Sequence, residues 1–245
     1  MFAHNCGVNK TITWTYSGSY NNQFMIKIIA NDLVVDGGPC ATATVTYLGK
    51  TYNTVQIGTQ CWLKENLDVG TRIDGSANQT NNGTIEKYCY NDDPNNCTTY
   101  GGLYQWAEAV AYTNGATDTT FANPPLTGNV QGICPTGWHI PTNAEYQTLD
   151  TTVSNDGNAL KAVGQGTGSG AGTNTSGFSA LLAGCRSSNG HFFSLGDDTY
   201  IWSSTENDAV STDAFYMYLY GYDSSIGFDL SSKGGGFSVR CAKDF

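Results

Sequence analysis

The chain has 245 residues, 39% hydrophobic and only 13% charged, about half the charged share of an ordinary globular protein. Its 11 basic and 21 acidic side chains leave a formal charge of −10, which argues against phosphate backbones and anionic membrane surfaces as partners. No apolar run approaches the roughly 18 residues of a transmembrane segment, and polarity carried by Asn, Thr, Ser, Gly and Tyr predicts a β-rich, loop-rich protein.

Met1-Phe2-Ala3-His4-Asn5 has neither a basic start nor an apolar core, so it does not read as a signal peptide; an exported form would be processed or truncated. Residues 11–16 and 23–30 read as two strands, because Phe24, Ile26, Ile28 and Ala30 alternate with Met25, Lys27 and Ile29. About forty residues bury little core alone. The segment 1–39 is therefore expected to be a β-rich arm or the remnant of a sandwich-like domain. It joins a main domain at 40–245 through Gly37-Gly38-Pro39. In that domain Val45, Tyr47, Tyr52, Val55 and Ile57 predict a hairpin turning at Gly49-Lys50.

Leu103, Trp106 and Val110 form one apolar stripe and predict a helix over 103–110. Thr142-Asn143-Ala144-Glu145 is a capping box behind Pro141; it opens a second helix whose buried face includes Tyr146 and Leu149. A third, short helix is expected at 159–163. Gly164, Gly166, Gly168, Gly170 and Gly172 alternate through a stretch that lacks any phosphate-binding spacing and reads as a flexible loop. Further on, Phe215, Met217 and Leu219 alternate with Tyr216, Tyr218 and Tyr220. Ile226, Phe228 and Leu230 alternate with Gly227, Asp229 and Ser231, and Phe237, Val239 and Cys241 continue the pattern. Three strands with one apolar face fit an antiparallel sheet. The fold class is α+β: short helices packed on small antiparallel sheets with long irregular loops.

Eight widely spaced cysteines predict disulfides and an oxidising compartment, with 105 pairings open. Cys89 and Cys97 flank a turn-rich stretch and could close a short loop. Cys6 with Cys40 would tie the N-terminal segment, Cys134 with Cys241 would pin the last strand, and Cys61 with Cys185 is the pair that remains. No Cys-x-x-Cys pair supports zinc.

Several motifs are similar to those of a known family. The run from Tyr52-Asn53-Thr54-Val55 to Glu65-Asn66-Leu67 resembles the opening of the Fibrobacter succinogenes major paralogous domain, common in exported and lipid-anchored bacterial proteins. Tyr100-Gly101-Gly102-Leu103-Tyr104-Gln105-Trp106, Cys134-Pro135-Thr136-Gly137-Trp138-His139-Ile140-Pro141-Thr142, Trp202-Ser203-Ser204-Thr205 and Gly236-Phe237-Ser238-Val239-Arg240-Cys241 resemble its later motifs, in order. The resemblance implies a C-type-lectin-like fold, related to formylglycine-generating enzymes and to the variable proteins of diversity-generating retroelements.

The chemistry of reactive sites is sparse. His4, His139 and His191 are the only histidines, and His139 just before a helix suits a structural hydrogen bond. The reactive cysteine pair of formylglycine-generating enzymes is missing, since no cysteine lies between Cys185 and Cys241, so no enzymatic activity is expected. The sugar-binding triplets of C-type lectins are missing too. Asp92, Asp93, Asn95 and Asn96 offer the hard oxygens calcium takes, yet turn chemistry accounts for them without metal, and no cofactor is expected.

The best binding candidate is the polar face of the C-terminal strands: Tyr216, Tyr218, Tyr220, Tyr222 and Asp229, with Trp202 and Phe192-Phe193 as stacking platforms. Tyrosine supplies large contact area with few torsions to freeze. The alternative is that these tyrosines only cover the sheet beneath a long loop. The expected function is an extracellular or cell-surface module that binds a protein or glycan ligand. The alternatives are a homo-oligomeric filament or matrix subunit assembled by strand addition, and a cysteine-dependent oxidase.

Overall fold

The computed structural model describes residues 3–5, 11–13, 40 and 44–244. The chain divides into a unit at Met1–Leu33 and a unit at Val34–Phe245. In the first, β1 (Ala3–Asn5) pairs antiparallel with β2 (Thr11–Thr13). The remainder of the expectation for 1–39, including the 23–30 strand and Cys6, lies outside the described residues.

The second unit holds two five-stranded sheets. One begins with the hairpin β3 (Thr44–Tyr47) and β4 (Lys50–Ile57), which turns at Leu48 and Gly49, one residue earlier than expected. After β4 come β5 (Gln60–Leu63), the short parallel pair β6 (Thr71–Arg72) and β7 (Glu86–Lys87), and β8 (Trp138–His139). The second sheet is built from β9 (Ala183–Arg186), β10 (Phe192–Leu195), β11 (Asp198–Glu206), β12 (Asp213–Tyr220) and β13 (Ile226–Ser232), in the order β10-β9-β11-β12-β13. Finally β14 (Ala242–Lys243) closes the first sheet, whose order is β3-β4-β5-β14-β8.

Four α-helices are present among the described residues: α1 (Pro94–Tyr100), α2 (Trp106–Ala109), α3 (Asn143–Thr152) and α4 (Gly157–Leu160). α3 carries the full capping box: Thr142 accepts from the Glu145 amide, and Glu145 accepts from the Thr142 amide at 2.8 Å. Its Tyr146 and Leu149 are buried, and the helix packs against β11 and β12. The helix expected over 103–110 is shorter than its apolar stripe. Leu103 pairs with Tyr88 and Tyr104 with Phe237 as β-bridges, so tertiary pairing claims the first turn and only Trp106–Ala109 is helical. The helix expected at 159–163 is displaced: it starts two residues early, where Asp156 caps it by accepting from the Asn158 amide, and ends at Leu160, because Lys161 is extended.

The core lies in two clusters. Trp106, Trp138, Trp202, Phe237 and Val239 anchor one; Trp62, Tyr146, Phe178, Ile201, Met217 and Leu219 anchor the other. The segment 237–241 is buried as expected, but it is not a third strand of the antiparallel sheet. It makes single bridges to Tyr104 and, in parallel, to Ile201, so it joins the layers.

Three disulfides tie the unit: Cys40–Cys61, Cys89–Cys97 and Cys134–Cys241. The expected Cys6–Cys40 and Cys61–Cys185 pairs are wrong. β4 and β5 fold Cys61 back beside Cys40, and Cys185, on β9, keeps a free thiol. Among the described residues no helix is long and apolar enough to cross a membrane.

Candidate binding face

The alternation in β12 sends Met217 and Leu219 into the core and Tyr216, Tyr218 and Tyr220 to the opposite side. Register then assembles the face. Tyr216 stands between Trp202 on β11 and Asp229 on β13, Tyr218 between Tyr200 and Gly227, and Tyr220 opposite Asp198. The rings make a continuous ladder. Tyr222 stacks on Tyr220 at 5.2 Å, Tyr220 meets Tyr218 at 4.7 Å, Tyr218 meets Tyr216 at 5.7 Å and Tyr216 meets Tyr200 at 5.8 Å. Phe237 continues the ladder to Trp202, stacked at 4.2 Å.

Solvent access falls along this ladder. Tyr222 is 65% exposed, Asp229 is exposed, and Tyr216, Tyr218, Tyr220 and Tyr200 are half-buried. Trp202 does not belong to the surface. Its register puts it on the tyrosine side, but Phe237 and Tyr104 cover it, and its indole N–H donates to the Tyr104 carbonyl at 2.8 Å. It is the buried root of the ladder. The Phe192-Phe193 pair also splits: Phe192 packs on Tyr90, while Phe193, opposite Cys185, is 51% exposed.

Tyr218 lies flat on the sheet. An ideal Cβ at Gly227 would fall 2.0 Å from its Cζ, so the ring occupies the space that any side chain there would need. This is cross-strand packing of an aromatic over a glycine. Burial pushes the hydroxyl pKa values of Tyr200, Tyr216 and Tyr220 up, so all three stay neutral donors at ordinary pH. Burial, with Asp198 beside it, pushes the Cys185 thiol up to about 11.

The turn that carries Tyr222 is held from below. Lys161, fully buried at the end of α4, donates from Nζ to the carbonyls of Tyr220 and Asp223 at 2.7 and 2.6 Å. The glycine-rich stretch is not a loose loop. The Thr167 amide donates to the Gly221 carbonyl at 2.7 Å and Ser169 Oγ to the Tyr222 carbonyl at 3.0 Å. A Cβ on Gly166 or Gly170 would stand 2.6 or 2.3 Å from the Gly221 carbonyl oxygen, so these two glycines let one backbone rest on another.

Elsewhere, polar clusters are structural. His139 is clamped between Asp244 at 2.6 Å and Glu145 at 2.8 Å. Burial alone would lower its pKa, but the bonds and charges of both carboxylates outweigh burial and raise it. Asp93 caps α1, Asp92 accepts from the Gly75 amide and pairs with Arg72, Asn95 donates to Asp93 and Asn96 to Tyr90. Each of these four side chains thus makes a hydrogen bond within the chain, the two asparagines through their amide nitrogens. Among the described residues no three His, Cys, Asp or Glu side chains converge as a metal site. A cleft of about 560 Å³ runs between 121–130 and Ser204, Thr205 and Glu206. Glu206 at its wall is already paired with buried Lys233 at 2.5 Å.

Tyr200 and Lys161 escaped the sequence reading, and Asp198, Gly227 and the Gly166/Gly170 pair were not read as part of the face. Period-two counting back from Trp202 would have found Tyr200 and Asp198. The others depend on register and on contacts distant in sequence.

Fold and face together define an α+β domain, tied by disulfides, that holds an aromatic sheet face toward solvent. Residues 55–243 match the Fibrobacter succinogenes major domain, and the chain belongs to that family. No curated protein and no solved structure matches it.

Proposed function

We propose that this domain is a non-enzymatic ligand-binding module of the cell surface or extracellular space, C-type-lectin-like in fold, which holds a protein or glycan ligand on its tyrosine face. The observation that carries the reading is the ladder itself. Rings from half-buried Tyr216 to exposed Tyr222 are fixed by contact with one another and rooted on buried Trp202. Side chains ordered before binding lose less entropy on binding. Three disulfides fit an oxidising compartment.

Strand addition has less behind it. Most of 11–30 lies outside the described residues, and the open edge of β13 is blunted. The edge-facing amides of Ile226 and Leu230 donate to the side chains of Asn155 and Asp229. The test is a screen of glycans and candidate protein partners with wild type and Tyr218→Ala/Tyr220→Ala. The reading expects binders that the double variant loses; binders that it retains in full would overturn it.

A further inference from the structure

The strands β9–β13 and their connections, residues 183–232, carry seven carboxylates and a single cation, Arg186. That cation is withdrawn: Arg186 is 1% exposed and donates to the carbonyls of Gly75, Ala77 and Gly234. The lysines that reach this sheet are withdrawn as well. Lys161 and Lys233 are fully buried, one on backbone carbonyls and the other on Glu206. The carboxylates nearest the ladder remain. Asp229 pairs across the sheet with Tyr216 and stays exposed; Asp198 lies opposite Tyr220; Asp197 and Asp223 flank the turn that carries Tyr222. Asp198 uses one oxygen to accept from the Tyr200 hydroxyl at 3.2 Å, and its other oxygen is buried without a hydrogen-bond partner, so Asp198 contributes charge beneath the face rather than an open acceptor.

Neutral aromatic faces bordered by carboxylate charge attract cations twice, through the ring quadrupole and through charge. Tyr218, flat on Gly227, turns one ring face outward, the orientation a cation–π contact requires. We infer that the tyrosine face takes an arginine- or lysine-bearing segment of a partner protein, with guanidinium groups stacked on Tyr218 and Tyr220 and paired to exposed Asp229. This rests on the reading of the face as the binding surface and names the ligand chemistry. A guanidinium suits the site better than an ammonium, because it is planar, weakly hydrated and able to stack while it donates to a carboxylate.

The test uses the full chain and labelled peptides that alternate glycine with arginine, lysine, glutamine or glutamate, read by fluorescence anisotropy at about 0.1 M salt. Expected are binding of the arginine peptide above the lysine peptide and none of the other two. Tyr218→Ala/Tyr220→Ala should weaken arginine-peptide binding roughly tenfold, the value of two exposed cation–π contacts. Asp229→Lys, a change at an exposed position that leaves the ring ladder in place, should abolish it. Equal binding of the arginine and glutamine peptides, or no binding of the arginine peptide, would refute the cation preference. If a neutral ligand then bound wild type and was lost in the tyrosine variant, the face would stand and only its ligand chemistry would fall. Arginine-peptide binding untouched by both variants would refute the face itself.

Discussion

A methyl group at position 227 would collide with the ring of Tyr218. The Cβ of Gly227→Ala would stand 2.0 Å from Cζ, 2.3 Å from Cε2 and 2.5 Å from Cε1, whereas carbons in contact sit about 3.5–4.0 Å apart. The ring must therefore lift by roughly 1.5 Å. Two effects oppose each other. Forcing a methyl into a filled contact costs about 1–3 kcal/mol. Alanine in place of glycine in a strand returns about 0.5–1 kcal/mol, and Gly227 has no left-handed φ to forbid it. Tyr218 is half-buried and can yield outward, so the lower part of the overpacking range applies and the net loss is about 0.5 kcal/mol. In a Tyr218→Ala background the obstacle is gone, and the same substitution should stabilise by about 0.5–1 kcal/mol. Urea midpoints at constant slope for the four proteins of this cycle read the change of sign. A Gly227→Ala effect of the same sign and size in both backgrounds would show that the ring does not rest on this glycine.

Four further outcomes are expected. The raised pKa of His139 means that its stabilisation is fully present below its ordinary value of about 6.5 and is lost as pH rises through the higher folded value. The lowered pKa of Glu145 means that its contribution is present above about 4.3 and is lost on acidification. Thermal melts should therefore peak between those limits, and His139→Gln should flatten the alkaline fall.

Chain-entropy arithmetic for closures of 107, 21 and 8 residues gives about 4.8, 3.3 and 2.5 kcal/mol for Cys134–Cys241, Cys40–Cys61 and Cys89–Cys97. Paired serine substitutions should lower denaturation midpoints in that order. Burial, with Asp198 nearby, keeps the Cys185 thiol protonated at pH 8, so iodoacetamide should label it slowly in the native protein and fast in denaturant. Gly166→Ala or Gly170→Ala should displace the Gly221–Tyr222 turn and cost about 1–3 kcal/mol by overpacking, visible as a lowered melting temperature.

Local signals in the sequence carried much of the fold. The capping box at Thr142 depends on four consecutive residues and a hydrogen-bond pattern they make themselves, so α3 was legible. The period-two alternation of β12 and β13 depends only on the pleat, and it separated Met217 and Leu219 from the tyrosines correctly. What failed depended on partners far away in the chain. Trp202 alternates as a surface residue should, and the return of Phe237 and Tyr104 over it makes it core. The stripe Leu103, Trp106 and Val110 has helical spacing, but bridges to Tyr88 and Phe237 take its start. Glycine alternation at 164–172 looked like slack chain because composition cannot show that Gly221 lies against it. Cys61 had eligible partners before and after it, and the β4–β5 hairpin, not the spacing, selects Cys40.

Hydroxyl-radical footprinting of the domain with a ligand captured in the screen tests the aromatic face most directly. The account predicts protection concentrated on Tyr216, Tyr218, Tyr220 and Tyr222, with the cleft beside Phe121 and Glu206 unchanged. Protection of Phe121 with the four tyrosines as reactive as in the free protein would contradict it.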